Sequence, residues 1–370
     1  MATHTFIGAL AHNLLRPDHP GQLVFFVTDR CNCRCDMCFN AANVFSTSHA
    51  PDMSLDNIRK MARSLRPLPQ LLLSGGEPFM RADIPEIVSA FYHGAGTRQF
   101  SIPTNGALSK RILAASEEIL VNHPGVVLNM NLSLDNIGAA HDNLRNLPGC
   151  YERVCETYAR LDALRQEYKG LSVNISTIIT EATVNEAERI VSDIRARFEP
   201  NYHAIGILRS NDTGTVSDAL LLMLSEKITL DVLDKGSFNA LPLLGHIVPA
   251  MGALIKKRYI SSFREHKRCF TCLAGKKIIV VTADGRLMPC EPLWLEKEAR
   301  RSDDENEYMM ARLEDYDFDV SAALASKRAG AVKHFVTQEK CWCSYMCAIQ
   351  NGILYSPRAY PLILLEMLRR

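Results

Sequence analysis

Three cysteines, Cys31, Cys35 and Cys38, stand in a C-x3-C-x2-C array directly after a short apolar run, Leu23 to Thr28. Three thiolates on one tight loop can hold three irons of a cubane iron–sulfur cluster and leave the fourth iron without a protein ligand. An iron with an open position is a place for chemistry, as the open position of a catalytic zinc is. A zinc site or three unrelated thiols are the plain alternatives. Zinc usually takes paired C-x2-C knuckles and a fourth ligand, so a single C-x3-C-x2-C array behind a strand fits a cluster better. Cys33 lies between the three and reads as a spectator turned away from them.

About 40 residues further on stands Gly75-Gly76-Glu77-Pro78. Alone it reads as a turn. Glycines at the end of a strand also let a ligand approach the backbone closely. Beside an open cluster, that bare backbone could hold the amino group of a ligand.

The elements that must position these groups alternate. Leu23 to Thr28 reads as a strand apolar on both faces, as parallel strands are. Ser54 to Leu65 has helical periodicity with Ser54 as its N-cap. Further strands are expected at Leu71 to Ser74, Phe100 to Thr104, Val126 to Asp135, Leu171 to Thr180 and Tyr202 to Leu208. Helices are expected at Asp83 to Ala95, Lys110 to His123, Tyr151 to Tyr168 and Val184 to Phe198. Six strands alternating with helices argue for a parallel α/β barrel or a doubly wound sheet. Both gather their sites at the carboxyl ends of the strands. The cysteines, the Gly-Gly-Glu-Pro segment and Thr104-Asn105-Gly106 follow the first three strands in turn.

Bulk properties restrict the class. The chain has 370 residues, 47% hydrophobic and 22% charged, with a formal net charge of +1. That balance gives no electrostatic footprint for nucleic acid. No apolar run reaches the length of about 18 residues that spans a membrane, and no secretion signal opens the chain. Twelve cysteines without such a signal imply a reducing, cytoplasmic compartment, where clustered cysteines read as metal ligands.

At this point the chain resembles the radical S-adenosylmethionine superfamily. The matching residues are Cys31, Cys35 and Cys38, Gly75 to Pro78, Thr104-Asn105-Gly106, and Asn131-Leu132-Ser133-Leu134-Asp135. The resemblance implies a partial (β/α)6 barrel over residues 20–210. It also implies a [4Fe-4S] cluster whose open iron binds S-adenosylmethionine, cleaved by one electron to a 5′-deoxyadenosyl radical. By position, Gly75, Gly76, Glu77 and Pro78 would receive the amino group, and Asn105, Ser133 and Asp135 the carboxylate and ribose. Met37 stands where the family often has an aromatic residue, so contact with adenine there would be by thioether.

Six more cysteines lie between residues 269 and 347. Cys272, Gly285 and Cys290 are spaced as C-x12-G-x4-C, and Cys341, Cys343 and Cys347 follow. Alone they would suit a structural zinc site. The pattern looks like the SPASM or twitch extensions of the superfamily. It implies one auxiliary [4Fe-4S] cluster on Cys272, Cys290, Cys347 and one of Cys341 or Cys343, with Cys269 as a substitute. Residues 266–350 are expected to form this small unit, residues 211–265 a helical connection, and residues 351–370 a docking helix.

Weaker features read mostly as structure. His141, Asp142 and Arg145 follow the fourth strand and read as structural. Cys150 and Cys155 read as helix packing residues, with hydrogen-atom donation as the alternative. Leu241 to Ile255, broken by Pro242 and Pro249 and followed by Lys256-Lys257-Arg258, reads as a buried lid, with peripheral membrane contact as the alternative.

The reading is hydrogen-atom abstraction from an unactivated carbon. About 20 residues precede the first strand, which points to a small molecule (a sugar, alcohol or lipid-linked group) and away from a built-in peptide-recognition domain. A peptide maturase served by a separate recognition protein is the second reading, and a non-catalytic zinc or iron–sulfur scaffold the third. A one-electron donor such as flavodoxin or ferredoxin is the expected partner.

Overall fold

The six apolar runs are strands. A computed structural model describes residues 12–208, 217, 244–295, 306–338, 341, 343 and 345–369. The strands are β1 (Gln22–Phe26), β2 (Gln70–Ser74), β3 (Gln99–Thr104), β4 (Val127–Ser133), β5 (Leu171–Ile179) and β6 (His203–Ile207). All are parallel and lie side by side in sequence order. Helices Leu55–Ser64, Ile84–Gly94, Ser109–Asn122, Cys150–Glu167 and Ala187–Arg197 connect them. Ser54 caps the first as expected, its Oγ accepting the Asn57 N–H at 3.3 Å.

Period-two alternation gives the sheet two different faces. On one, Leu23, Phe25, Leu71, Leu73, Phe100, Ile102, Leu128 and Met130 share a core with Ile58, Ile87, Phe91, Ile112 and Leu161 of the helices. The other face is partly polar. Asn131 Nδ2 donates to Ser101 Oγ at 2.8 Å, and the Tyr202 hydroxyl donates to Asn131 Oδ1 at 2.9 Å. Helices on one face and a hydrogen-bonded inner face are what an open, partial barrel needs.

The sheet does not stop at β1. Strand β7 (Ile278–Val281) pairs parallel with β1, Gln22 against Ile278 through Phe25 against Val281. Strands β8 (Arg286–Met288) and β9 (Ala311–Arg312) continue antiparallel, so nine strands form one sheet among the described residues. The C-terminal unit is thus built onto the barrel's first strand. Its expected Cys272–Gly285–Cys290 hairpin is present as β7 and β8, with Gly285 at φ +84° in the turn.

The 211–265 connection lies outside the described residues up to 243, apart from residue 217. Leu244–Arg264 is one helix that runs through Pro249, so the proline does not break it as the sequence reading expected. It packs on Met346–Tyr355 and on Tyr360–Leu368, the C-terminal docking helix, through Leu254, Ile255, Tyr259, Ile349, Ile353 and Ile363.

Candidate functional site

The cysteine loop is held against its neighbour by backbone. Gly76 N–H donates to Thr28 O at 2.8 Å, and Glu77 N–H to Arg30 O at 2.9 Å. The approach leaves no room for side chains. A Cβ on Gly75, at φ +149°, would stand 2.4 Å from Thr28 O, and one on Gly76 would stand 2.4 Å from Arg30 O. This is the close backbone contact that glycine alone permits.

Glu77 fastens the third element. Its carboxylate accepts the Thr104 hydroxyl and the Asn105 N–H, both at 2.8 Å, and the Phe79 N–H at 3.2 Å. It is 1% exposed, and burial pushes it up to about 7 despite those three donors. Its side chain is therefore committed to positioning the β3 loop. Asn105 Nδ2 in turn donates to Asn32 Oδ1 at 2.8 Å, and lies 4.0 Å from Cys31 Sγ.

These loops enclose a cavity of about 260 Å3 at the carboxyl ends of the strands. Cys31, Cys35, Cys38, Gly75, Gly76, Glu77, Pro78, Asn105 and Ser133 all line it, with Met37. Asp135 does not. It is fully buried, ion-paired with Arg145, and its other oxygen accepts the Ile178 N–H at 2.9 Å. The sequence reading gave Asp135 to the ligand and Arg145 to structure. In the structure the Asp135 carboxylate holds the Arg145 guanidinium, and it is Arg145 that lines the cavity.

Arg145 Nη1 donates to Cys35 Sγ at 3.6 Å. Cys35 is held down to about 6, first by the Cys33 thiol and then by Arg145 against the cost of burial. Cys31 is lowered as well, by the Cys33 thiol and by the Cys33 N–H, which lies 3.4 Å from its sulfur. Cys38 is pushed up to about 11 by burial. Cys33 is not turned away from the loop as expected. It is 1% exposed, and its S–H is in reach of Cys31, Cys35 and Cys150, though it can serve only one of them at a time. Cys150 is fully buried beside it, near His141.

The donor set fits an iron–sulfur cluster. Three thiols share one cavity, and N–H groups point at the sulfurs of Cys31 and Cys35, as ligating sulfurs require. Cys31, Cys35 and Cys38 would hold the irons, and the Gly75–Pro78 backbone stands beside them.

A second thiol group forms below β1. Cys272 and Cys290 are buried with Phe26, Trp294 and Tyr345, and Cys341, Cys343 and Cys347 pack against the same cluster. Cys272 is pushed up to about 12 by burial and by Cys343, and Cys290 is raised by burial and by Cys343, Cys272 and Cys341. Arg268 Nη1 lies 3.9 Å from Cys341 Sγ. Cys269 sits elsewhere, its sulfur 3.6 Å from Lys267 O. Phe26 joins the two regions, with ring centroids 4.6 Å from Trp294 and 6.4 Å from Phe39.

Sequence reasoning missed Arg145 as a cavity residue, and Ser176 and Ile178 on the β5 wall. Only their shared position after β4, Asp135 just past the strand and Arg145 at the end of the following helix Ala139–Arg145, hinted at the pair.

Comparison with known proteins agrees with this geometry. Residues 25–194 match the sequence model of the Radical SAM superfamily. GTP 3',8-cyclase of Geobacter sulfurreducens is 27% identical over 171 residues, 45% of this chain and 50% of the relative. AdoMet-dependent heme synthase of Methanosarcina barkeri is 27% identical over 208 residues, 54% of this chain and 55% of the relative. The chain thus spans about half the length of these curated relatives. Among solved structures, Streptococcus suis SuiB bound to S-adenosylmethionine superposes with a TM-score of 0.54 at 14% identity, covering 88% of this chain and 71% of that one. A tagged form of anSMEcpe with bound AdoMet also gives 0.54 at 14% identity, covering 95% of this chain and 96% of that one. At that identity these two show the fold alone. The thiol loop and its glycine-rich neighbour thus lie together in the segment, residues 25–194, that is similar to the Radical SAM superfamily.

Proposed function

We propose that the chain abstracts a hydrogen atom from a small organic molecule, such as a sugar, an alcohol or a lipid-linked group. The observation that carries this reading is the confined cavity, with three cluster-type thiols and bare glycine backbone on one wall and Ser176, Ile178, Ile207 and Leu208 on the other. A [4Fe-4S] cluster with S-adenosylmethionine, when bound, supplies one-electron cleavage and a carbon radical strong enough to take an unactivated hydrogen. The chain's own part is positioning. Glu77 fixes the β2 and β3 loops, Arg145 orients Cys35, and Met37 offers a thioether to an adenine ring. Ser133 and Asn105 offer polar groups from neighbouring strand ends. Ile178, Ile207 and Leu208 of the β5 and β6 wall would keep water from the reacting carbon.

One auxiliary [4Fe-4S] cluster is part of the proposal. Cys272 and Cys290 would hold it, with Cys347 and one of Cys341 or Cys343. The shared apolar surroundings of these thiols support the reading, and Arg268 would donate toward a sulfur. About eight irons per chain are expected after anaerobic reconstitution, and about four in Cys272→Ser. A wild-type content of about four, or bound zinc at the second group, contradicts it.

The substrate class is tested by deuterium transfer into 5′-deoxyadenosine from a panel of labelled sugars, alcohols and lipid-linked compounds. Label from one such class is the expected result. Label only from a peptide supplied with a separate recognition protein overturns it in favour of a maturase.

A further inference from the structure

The C-terminal helix Tyr360–Leu368 is amphipathic the wrong way round for a protein surface. Its buried side carries Ile363 and its one acid, Glu366, against Leu244–Arg264. Its outward side is apolar: Leu364 is 57% exposed, Leu365 48% and Leu368 77%. These three fall on one helical stripe. Surface helices ordinarily turn polar residues outward. Here the acid is turned in, where it accepts Lys257 Nζ at 2.5 Å and Arg369 Nη1 at 3.2 Å.

Beside this stripe runs a groove of about 410 Å3 between the two helices, lined by Leu254, Leu362, Lys257, Arg258, Arg264, Arg369 and Glu366; Lys257 and Arg369 are paired with Glu366, which leaves Arg258 and Arg264 as its cations outside that pairing. Residues 244–264 contain four basic residues and no acid, and residues 360–369 contain Arg369 and Glu366. With Glu265 following at once, this face still carries more basic than acidic residues, against +1 for the whole chain.

We propose that this face docks the enzyme on an anionic phospholipid surface. The leucines would enter the headgroup boundary and the groove would take a lipid phosphate on its arginines, as interfacial helices with basic flanks do. Charge argues against a second copy as the occupant, because a two-fold contact through this face would set each basic rim against itself. An acidic protein would leave the leucine stripe without a counterpart. The proposal is separate from the substrate reading: docking would occur whatever the cavity binds.

The test is flotation of the full chain with vesicles of phosphatidylcholine alone or with about 30% phosphatidylglycerol, at about 0.05 and 0.5 M salt. Binding is expected to the anionic vesicles only, and to fall at high salt. Each basic residue near such a surface is worth about fivefold in partition. The charge-reversed Arg264→Glu/Arg369→Glu protein should therefore bind at least about tenfold more weakly. Leu364→Ser/Leu368→Ser, on the outward face, should fall by a similar factor while keeping the wild-type melting temperature. Equal binding to neutral vesicles, no binding, or either variant binding like wild type overturns the proposal. So does a wild-type dimer in solution that the leucine variant turns into a monomer.

Discussion

Arg145→Met removes the guanidinium paired with a carboxylate that has no solvent access. Asp135 has a fully buried side chain and Arg145 is 13% exposed, so water screens neither. Breaking a buried pair from one side strands the other charge, at a cost of about 3–5 kcal/mol. The Ile178 N–H, 2.9 Å from the second oxygen, keeps one hydrogen bond but does not balance the charge. Asp135→Asn in the same background removes that charge and retains an acceptor for Ile178. The double variant should recover at least about 2 kcal/mol of the loss. The assay is anaerobic urea denaturation of the four proteins of the cycle, at constant m. A loss below about 1 kcal/mol for Arg145→Met, or a double variant no more stable than the single, refutes the claim that this pair braces the cavity.

Glu77 gives a pH prediction with a definite sign. Its folded value, about 7, lies above the ordinary glutamate value of 4.5, so its contribution is whole below about pH 4.5 and is lost as pH rises through about 7. Wild type should lose up to about 3 kcal/mol relative to Glu77→Gln across that window, read from denaturation midpoints; parallel pH profiles refute it. Gly76→Ala should cost about 1–3 kcal/mol, because the new Cβ meets Arg30 O and must part the two loops. Gly330→Ala, in the Lys327–Thr337 helix with nothing within 4 Å of the new Cβ, should stabilise by about 0.4–1 kcal/mol. Equal melting temperatures for the two alanine variants count against both readings.

Strands and motifs were legible because each has a local signal. Strand β1 is buried on both faces and reads as an apolar run, and Leu171–Ile179 ends one residue short of its expected bound. The cysteines, Gly75–Pro78 and Asn105 were found because chemistry and backbone geometry restrict residue type at fixed spacing. What was not legible depends on contacts distant in sequence. The β1–β7 pairing joins segments some 250 residues apart, and no pattern within either segment names its partner. That Arg145 and not Asp135 lines the cavity was not legible, because spacing shows which residues follow a strand end, while burial decides which of them faces the cavity. Pro249 was read as a break, yet it lies near the start of a helix held by its neighbours along the remaining length.

The central claim is that Cys31, Cys35 and Cys38 hold a cluster that cleaves S-adenosylmethionine. Its most direct test is 5′-deoxyadenosine formation from S-adenosylmethionine and dithionite, by anaerobically reconstituted wild type and by Cys31→Ala, Cys35→Ala and Cys38→Ala. Product is expected from wild type and none above background from each variant, with iron at Cys272 and Cys290 retained. No product from iron-loaded wild type, or undiminished product from any of the three variants, would contradict it.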